Sequence, residues 1–192
     1  MNILVDQLPT AIEVDGSEYP INYDFRTCLR ILMAFEDQTL AQIEKQAILL
    51  KNLYVEQPKN ITEAIQKGIK FLDGGEDRKD EVKNSPRIYS FQNDAQFIVA
   101  AFQQTHGIDL ETAEMHWWKF MALFMDLGGE TTFSNLVSLR KRVKTGKATK
   151  EERAAARELG EIFDLTEIDN RTLEEREAED EFMKLLKQGK GV

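Results

Sequence analysis

The segment between residues 110 and 127 is the strongest restriction on how this chain can fold, because almost every residue in it is apolar. At about 100° per residue, an α-helix over this segment would have one broad apolar face and only a narrow polar strip near Lys119 and Asp126. We predict one helix from Leu110 to Leu127, with Asp109 as its N-cap and Gly128-Gly129 at its end. A helix this apolar must be buried on several sides or must bind another chain. The residues expected on its apolar face are Leu110, Ala113, Trp117, Phe120, Met121, Phe124 and Leu127, widened by Trp118, Leu123 and Met125.

Helical spacing and capping signals dominate the rest of the chain as well. Gly107, after His106, is a natural C-cap. Asp24 is a natural N-cap, and either Thr132 or Ser134 is expected to cap the helix after Gly129. Four further N-termini are predicted from capping-box patterns, namely Thr39-x-x-Gln42, Asn60-x-x-Glu63, Thr149-x-x-Glu152 and Thr172-x-x-Glu175.

Only the N-terminal region has an extended pattern. Thr10–Val14 alternates, Asp15-Gly16-Ser17 has turn chemistry, and Tyr19–Ile21 continues the pattern, with Pro20 favouring an edge strand. The predicted fold class is therefore mainly α: a multi-helix domain with a short N-terminal β-hairpin, an α+β arrangement with a small sheet.

Charge patterning suggests how the chain is organised. We expect a hairpin-plus-helix domain over residues 1–145, interrupted by a mobile, charged linker near 75–87, and a charged helical extension over 146–192. Basic residues concentrate between Arg140 and Arg153, and eleven acidic residues lie between Glu158 and Glu181.

Composition argues against several classes of function. The 192 residues include 34 acidic and 25 basic side chains, so the net charge of −9 disfavours non-specific binding to nucleic acid. Cys28 has no partner for an internal disulfide, and one Cys with two His cannot form a typical zinc site. Gly146-Lys147-Ala148-Thr149 lacks the first glycine of a phosphate-binding loop, because Lys141 stands in its place. We expect no enzyme activity, no cofactor and no metal, and neither a membrane span nor a signal peptide.

The double tryptophan suggests a binding surface for another protein. Trp117 and Trp118 point about 100° apart on a helix, so one packing layer does not easily bury both. One interpretation places the whole helix in the core. The other places Trp117 in the core and uses Trp118, Met115 and Met125 for a partner, since methionine adapts to varied surfaces. The candidate partner-binding residues are Trp118, Met115, Met125, Trp117, Phe120 and Met121.

Three strings resemble the bacteriophage "gene product fifteen" family, which is encoded in the tail modules of long-tailed phages of Gram-positive bacteria. They are Ile21-Asn22-Tyr23-Asp24-Phe25-Arg26-Thr27, His106-Gly107-Ile108-Asp109-Leu110 and the string from His116 to Leu123 that contains both tryptophans. The resemblance extends from about residue 8 to residue 142.

This resemblance implies a chaperone-like role in tail assembly. Such a protein would hold the hydrophobic, helical tape measure protein in solution, would self-associate, and would contact the tail tube protein as a further possible partner. It would act in the cytoplasm of the bacterial host and be absent from the mature virion. Two alternatives stay open, namely a structural tail or head–tail protein retained in the virion, and a nucleic-acid-binding regulator that uses the basic segment 140–153.

Overall fold

The structure, a computed structural model, describes residues 4–76 and 86–165 of the chain. Within these residues a two-stranded antiparallel hairpin precedes seven α-helices, and a 3₁₀ turn at Gly160–Ile162 follows the last helix. The predicted fold class, mainly α with a short N-terminal hairpin, is confirmed. The elements are β1 (Ala11–Val14), β2 (Ser17–Pro20), α1 (Phe25–Glu36), α2 (Gln42–Leu53), α3 (Ile61–Leu72), α4 (Ala95–His106), α5 (Trp117–Met125), α6 (Thr132–Lys144) and α7 (Lys150–Leu159).

The hairpin forms where the sequence predicts it. Asp15 and Gly16 both have positive φ, 51° and 71°, which matches a tight two-residue turn to the twist of the strands. Ile12 and Val14 of β1 face inward and are buried, and the Asp15 N–H donates to the Glu63 carboxylate on α3 at 3.0 Å. The hairpin therefore covers one side of α3.

Most predicted caps are confirmed. The carboxylate of Asp24 accepts the Arg26 N–H, the Asn60 side chain accepts the Glu63 N–H, and Thr149 and Glu152 form a reciprocal capping box. Gly107 ends α4 with φ 67°. These interactions span at most four residues, which is why the sequence reveals them.

Two predicted caps are wrong. The helix expected to have Thr39 as its N-cap begins two residues later, with Ala41 as the N-cap. The Ala41 N–H donates to the Glu44 carboxylate, and Thr39 bonds to Asp37 instead. Thr131, not Thr132 or Ser134, caps α6, and its hydroxyl accepts the Ser134 N–H at 3.1 Å. The fourth capping-box pattern, at Thr172, lies outside the described residues.

The predicted helix from Leu110 to Leu127 is also wrong over its first half. Asp109 caps only a single turn, and the helix proper, α5, begins at Trp117. In a continuous helix the Trp117 N–H would donate to the Ala113 carbonyl. Instead the Trp117 N–H donates to Tyr23 O at 2.8 Å, and the guanidinium of Arg26 donates to Ala113 O at 2.8 Å. Long-range partners thus replace the helical hydrogen bonds.

One large core joins the hairpin to α1–α5. Its centre is a stack of three aromatic rings, in which the ring centroid of Phe120 lies 5.0 Å from the ring centroids of both Phe25 and Phe102. Gly68 allows α3 to approach α2 closely, since a Cβ there would lie 2.9 Å from the Leu49 side chain.

A second, smaller cluster joins α6 to α7 through Leu136, Ala156 and Phe163. The extension expected from residue 146 therefore includes a part, up to Leu165, that packs on α6. Residues 77–85, which make up most of the expected mobile linker, lie outside the described residues, as does the acidic segment after Leu165.

Candidate partner-binding site

The start of α5 is a junction between two distant parts of the chain. Phe25 N–H donates to Met115 O at 3.1 Å, Trp117 N–H donates to Tyr23 O at 2.8 Å, and Asp24 and His116 form an antiparallel bridge. Two of the three strings that carry the family resemblance are thus hydrogen-bonded to each other.

His116 holds this junction in its neutral form. Its Nδ1 accepts the Trp118 N–H at 3.0 Å, so Nε2 carries the ring hydrogen and donates to Pro9 O at 3.0 Å. The ring also stacks on Tyr23, with centroids 5.1 Å apart. Burial lowers the pKa of His116 below its ordinary value of 6.5, although the hydrogen bond to Pro9 opposes this shift. The imidazole is therefore an N-cap and a positioning group for α5.

Arg26 fixes the turn that precedes α5. Its guanidinium donates to three main-chain oxygens, those of Leu110, Glu111 and Ala113, at 2.7 to 2.8 Å. A charged donor with a fixed fork geometry suits several carbonyls that converge on it. Sequence reasoning did not give Arg26 this role, because its acceptors lie more than 80 residues away along the chain.

Both tryptophans cap the end of α3. The indole N–H of Trp117 donates to Leu72 O at 2.9 Å, and that of Trp118 donates to Phe71 O at 2.8 Å. These are among the last carbonyls of α3, which have no partner within the helix itself, and Phe71 O also accepts the Gly74 N–H at 3.1 Å. The role of the double tryptophan inside the chain is thus to join α5 to α3.

The two tryptophans nevertheless differ in burial. Trp117 is 1% exposed, while Trp118 is half-buried and stacks on Phe71 with ring centroids 5.7 Å apart. Gly75 lies against the outer edge of Trp118, where a Cβ would come within 2.9 Å of the indole. The turn after α3 therefore covers part of the Trp118 ring.

The outward side of α5 is apolar and partly open. We call Trp118, Met121, Ala122 and Met125 the outer face of α5, since their spacing places them on one side of a helix. Ala122 is exposed, Met125 is 82% exposed, and Trp118 and Met121 are half-buried. An exposed apolar strip on an otherwise buried helix is a candidate contact for another protein.

The structure divides the six predicted partner-binding residues into two groups. Trp117, Phe120 and Met115 lie inside the fold, where they contact other parts of the same chain. Trp118, Met121 and Met125 lie on the outer face, so in this conformation only these three are accessible to a partner.

The basic segment expected to serve a nucleic-acid-binding regulator is less basic on its surface than in its sequence. Arg140 is fully buried and forms a bidentate ion pair with Asp94, at 2.7 and 3.0 Å, while Asp94 also accepts the Ser90 N–H. Its guanidinium further donates to the carbonyls of Ile162 and Phe163. Arg140 is therefore a structural residue and is not available to bind phosphates.

Two other side chains that could take part in chemistry, Cys28 and Glu36, also have structural surroundings. Burial raises the pKa of the Cys28 thiol to about 12, which makes it a poor nucleophile at neutral pH. Burial also raises the pKa of Glu36, which pairs with Arg87 and accepts the Ser90 hydroxyl.

A shallow surface depression of about 490 Å³ lies beside the junction, lined by Tyr23, Asp24, Arg26, Glu114, Met115 and His116.

Two properties of the described part of the chain bear on its function. Among residues 4–76 and 86–165, no group of three or more His, Cys, Asp or Glu side chains is placed to hold a metal ion. In the same residues, no helix combines the length and hydrophobicity needed to span a bilayer.

Comparison with known proteins identifies the family. Residues 4–165 match the family described as Bacteriophage Gp15 protein, so the match covers most of the chain and includes the junction, α5 and the α6–α7 pair. No curated protein matches the chain, and no solved structure matches it either. The chain therefore belongs to the Bacteriophage Gp15 protein family, a family of phage structural or assembly-related proteins.

Proposed function

We propose that this protein acts in phage tail assembly, where it binds the hydrophobic, helical tape measure protein and associates with further copies of itself. It works as a chaperone in the cytoplasm of the bacterial host and leaves before the virion is complete. Membership of a bacteriophage family and the resemblance to tail-module proteins support this proposal. The tail tube protein, which polymerises around the same client, is a further candidate partner.

The observation that carries the proposal is the exposed Met125 on the outer face of α5. A methionine with 82% of its surface in water leaves unrealised most of the ~1.5–3 kcal/mol that complete burial would provide. A helix laid along the outer face would cover Met125 and Ala122 together. The unbranched thioether side chain adapts to different neighbours, which suits contact with a hydrophobic helix.

Co-expression with the tape measure protein tests the function directly. We expect the client to stay soluble with the wild-type protein and to precipitate without it. If the wild-type protein leaves the client's solubility unchanged, the proposed function is wrong.

A charge placed on the outer face tests the site separately. Met125→Glu should abolish the rescue of the client while leaving the thermal unfolding of the protein itself unchanged. Ile43→Glu is the matched control, because Ile43 is 71% exposed on a different helix, α2. If Met125→Glu rescues the client as well as wild type does, the outer face of α5 is not the binding site.

Two further measurements test whether the protein self-associates and whether it is retained in the mature virion. Size-exclusion chromatography with light scattering should give an oligomer whose mass changes when the client is added. Mass spectrometry of purified virions should find the protein absent, and stoichiometric copies there would favour a structural tail or head–tail protein instead.

A further inference from the structure

The turn that joins α6 to α7 concentrates positive charge on a protein that is otherwise strongly acidic. The net charge of the chain is −9, yet four exposed basic side chains lie between the end of α6 and the first turns of α7. We call these residues the basic turn: Lys141, Lys147, Lys150 and Arg153.

The backbone of the basic turn is held in place by hydrogen bonds. Lys147 N–H donates to Arg142 O at 2.8 Å, and Gly146 N–H donates to Val143 O at 3.1 Å with φ 74° at the glycine. The ion pair between Arg142 and Glu152, at 2.8 Å, joins the two helices across the turn. The backbone that carries these four basic side chains is therefore ordered.

Helix stability does not explain all of this charge. A cation in the last turn of a helix, such as Lys141 in α6, is favoured by the helix dipole. Lys150 and Arg153 instead lie in the first turns of α7, where the dipole disfavours cations. An anionic partner would remove both this cost and the mutual repulsion of the basic turn.

The sequence contains an anionic segment of matching size. Residues 167–181 include eight acidic and two basic side chains. This acidic run begins directly after the described residues, which end at Leu165.

The point at which the acidic run is attached brings it within reach of the basic turn. Arg140 binds the carbonyls of Ile162 and Phe163, so the chain returns to the side of α6 before the acidic run begins. α6 continues for four residues beyond Arg140, to Lys144, or ~6 Å at the helical rise, and the turn to α7 follows at once. Four or five residues of extended chain span ~13–18 Å, which is enough to cover that distance.

We propose that the acidic run 167–181 binds the basic turn of the same chain and screens it from other polyanions. The inference is independent of the proposed function, because it uses a different surface and a different kind of contact.

Zero-length cross-linking on the full-length protein tests the contact. A carbodiimide joins a lysine amine to a carboxylate only where the two touch, and equal amounts of isotopically light and heavy protein are mixed beforehand. We expect peptides that join Lys147 or Lys150 to residues 167–181, all light–light or heavy–heavy. Mixed light–heavy peptides would place the acidic run of a second copy on the basic turn and overturn the proposal, as would the absence of such peptides.

Binding to heparin tests the screening. Neutralising part of the acidic run with Glu174→Gln, Glu175→Gln and Glu177→Gln should expose the basic turn and shift elution from heparin to higher salt. The control protein carries Glu56→Gln, Glu111→Gln and Glu130→Gln, three exposed residues with the same total change in charge. Equal shifts in the two proteins would mean that net charge alone matters, which would overturn the proposal.

Discussion

His116 illustrates how much one side chain can determine in this protein. Its two ring nitrogens have opposite roles, since Nδ1 accepts from the Trp118 N–H and Nε2 donates to Pro9 O. A protonated imidazole has two donors and no acceptor, so it cannot cap α5. The junction between the two family strings therefore depends on the charge state of this residue.

Stability should consequently fall on mild acidification. The pKa of His116 is lowered in the folded protein, so the unfolded state binds the proton more readily and the folded state loses stability as the pH falls. We expect the full contribution above about pH 6.5 and a progressive loss below it, down to the folded pKa. Urea unfolding between pH 5 and 8 measures this loss.

His116→Asn is the control for that experiment. Asparagine is a good N-cap but does not titrate, so the variant should show a weaker dependence on pH over the same range. Every other titratable group is the same in both proteins, so its contribution to the pH dependence cancels in the comparison. Identical pH profiles for the variant and wild type would rule out His116 as the titrating group.

The two tryptophans should contribute unequally to stability. Trp117→Ala removes a side chain that is 1% exposed and should lower the free energy of unfolding by ~3–5 kcal/mol. Trp118→Ala removes a half-buried ring, so the loss should be smaller. Chemical denaturation followed by far-ultraviolet circular dichroism gives both values, and a larger loss for Trp118→Ala would reverse the assignment.

At the scale of elements, the exit from α3 depends on glycine. Gly75 has φ +84°, and a Cβ there would lie 2.9 Å from the Trp118 ring. Gly75→Ala should therefore combine backbone strain with a clash and lower the free energy of unfolding by ~1–3 kcal/mol.

Gly146→Ala separates the two causes. Gly146 has φ +74°, but a Cβ added there would meet no atom within 4 Å, so its substitution carries the strain without the clash. We expect a smaller loss in the same unfolding measurement. Equal losses at the two positions would mean that contact with Trp118 adds nothing.

Local elements were predictable from the sequence and long-range ones were not. The hairpin turn at Asp15-Gly16 and the caps at Asp24, Asn60 and Thr149 depend on neighbours a few residues away, and each is confirmed. The segment 110–116 has an equally helical pattern, but Arg26 and Tyr23 take its hydrogen-bonding groups from outside. No periodicity in the segment itself contains that information.

The candidate site follows the same division. The sequence correctly indicated that Trp117 and Trp118 face different surroundings, because a helix turns by about 100° per residue. It could not indicate that Phe120 faces inward, since that depends on which side of α5 meets α1. Nor could it indicate that Met115, which precedes α5, is buried at the junction with Phe25. Likewise, nothing in a run of basic residues separates the buried Arg140 from its exposed neighbours.

At the scale of the whole molecule, Arg140 joins three regions. It pairs with Asp94 at the start of α4 and donates to carbonyls of Ile88, Ile162 and Phe163. Arg140→Met would leave the carboxylate of Asp94 buried without its cation and should lower the free energy of unfolding by ~3–5 kcal/mol.

A double substitution checks the origin of that loss. Adding Asp94→Asn to Arg140→Met removes the unpaired buried charge, so the double variant should lose less stability than the sum of the two single variants. Additive losses in urea unfolding would contradict a direct coupling between the two residues.

The junction between residues 23–26 and 110–117 has a consequence for synthesis of the protein. The Arg26 guanidinium and Ala113 O are 87 positions apart, so α1 cannot complete its contacts until α5 has left the ribosome. Until then, the hairpin and α1–α4 are part of a nascent chain whose apolar surface is still uncovered. Closing so long a loop is also slow. Translation of the last third of the described residues thus sets the earliest moment at which the N-terminal half becomes native.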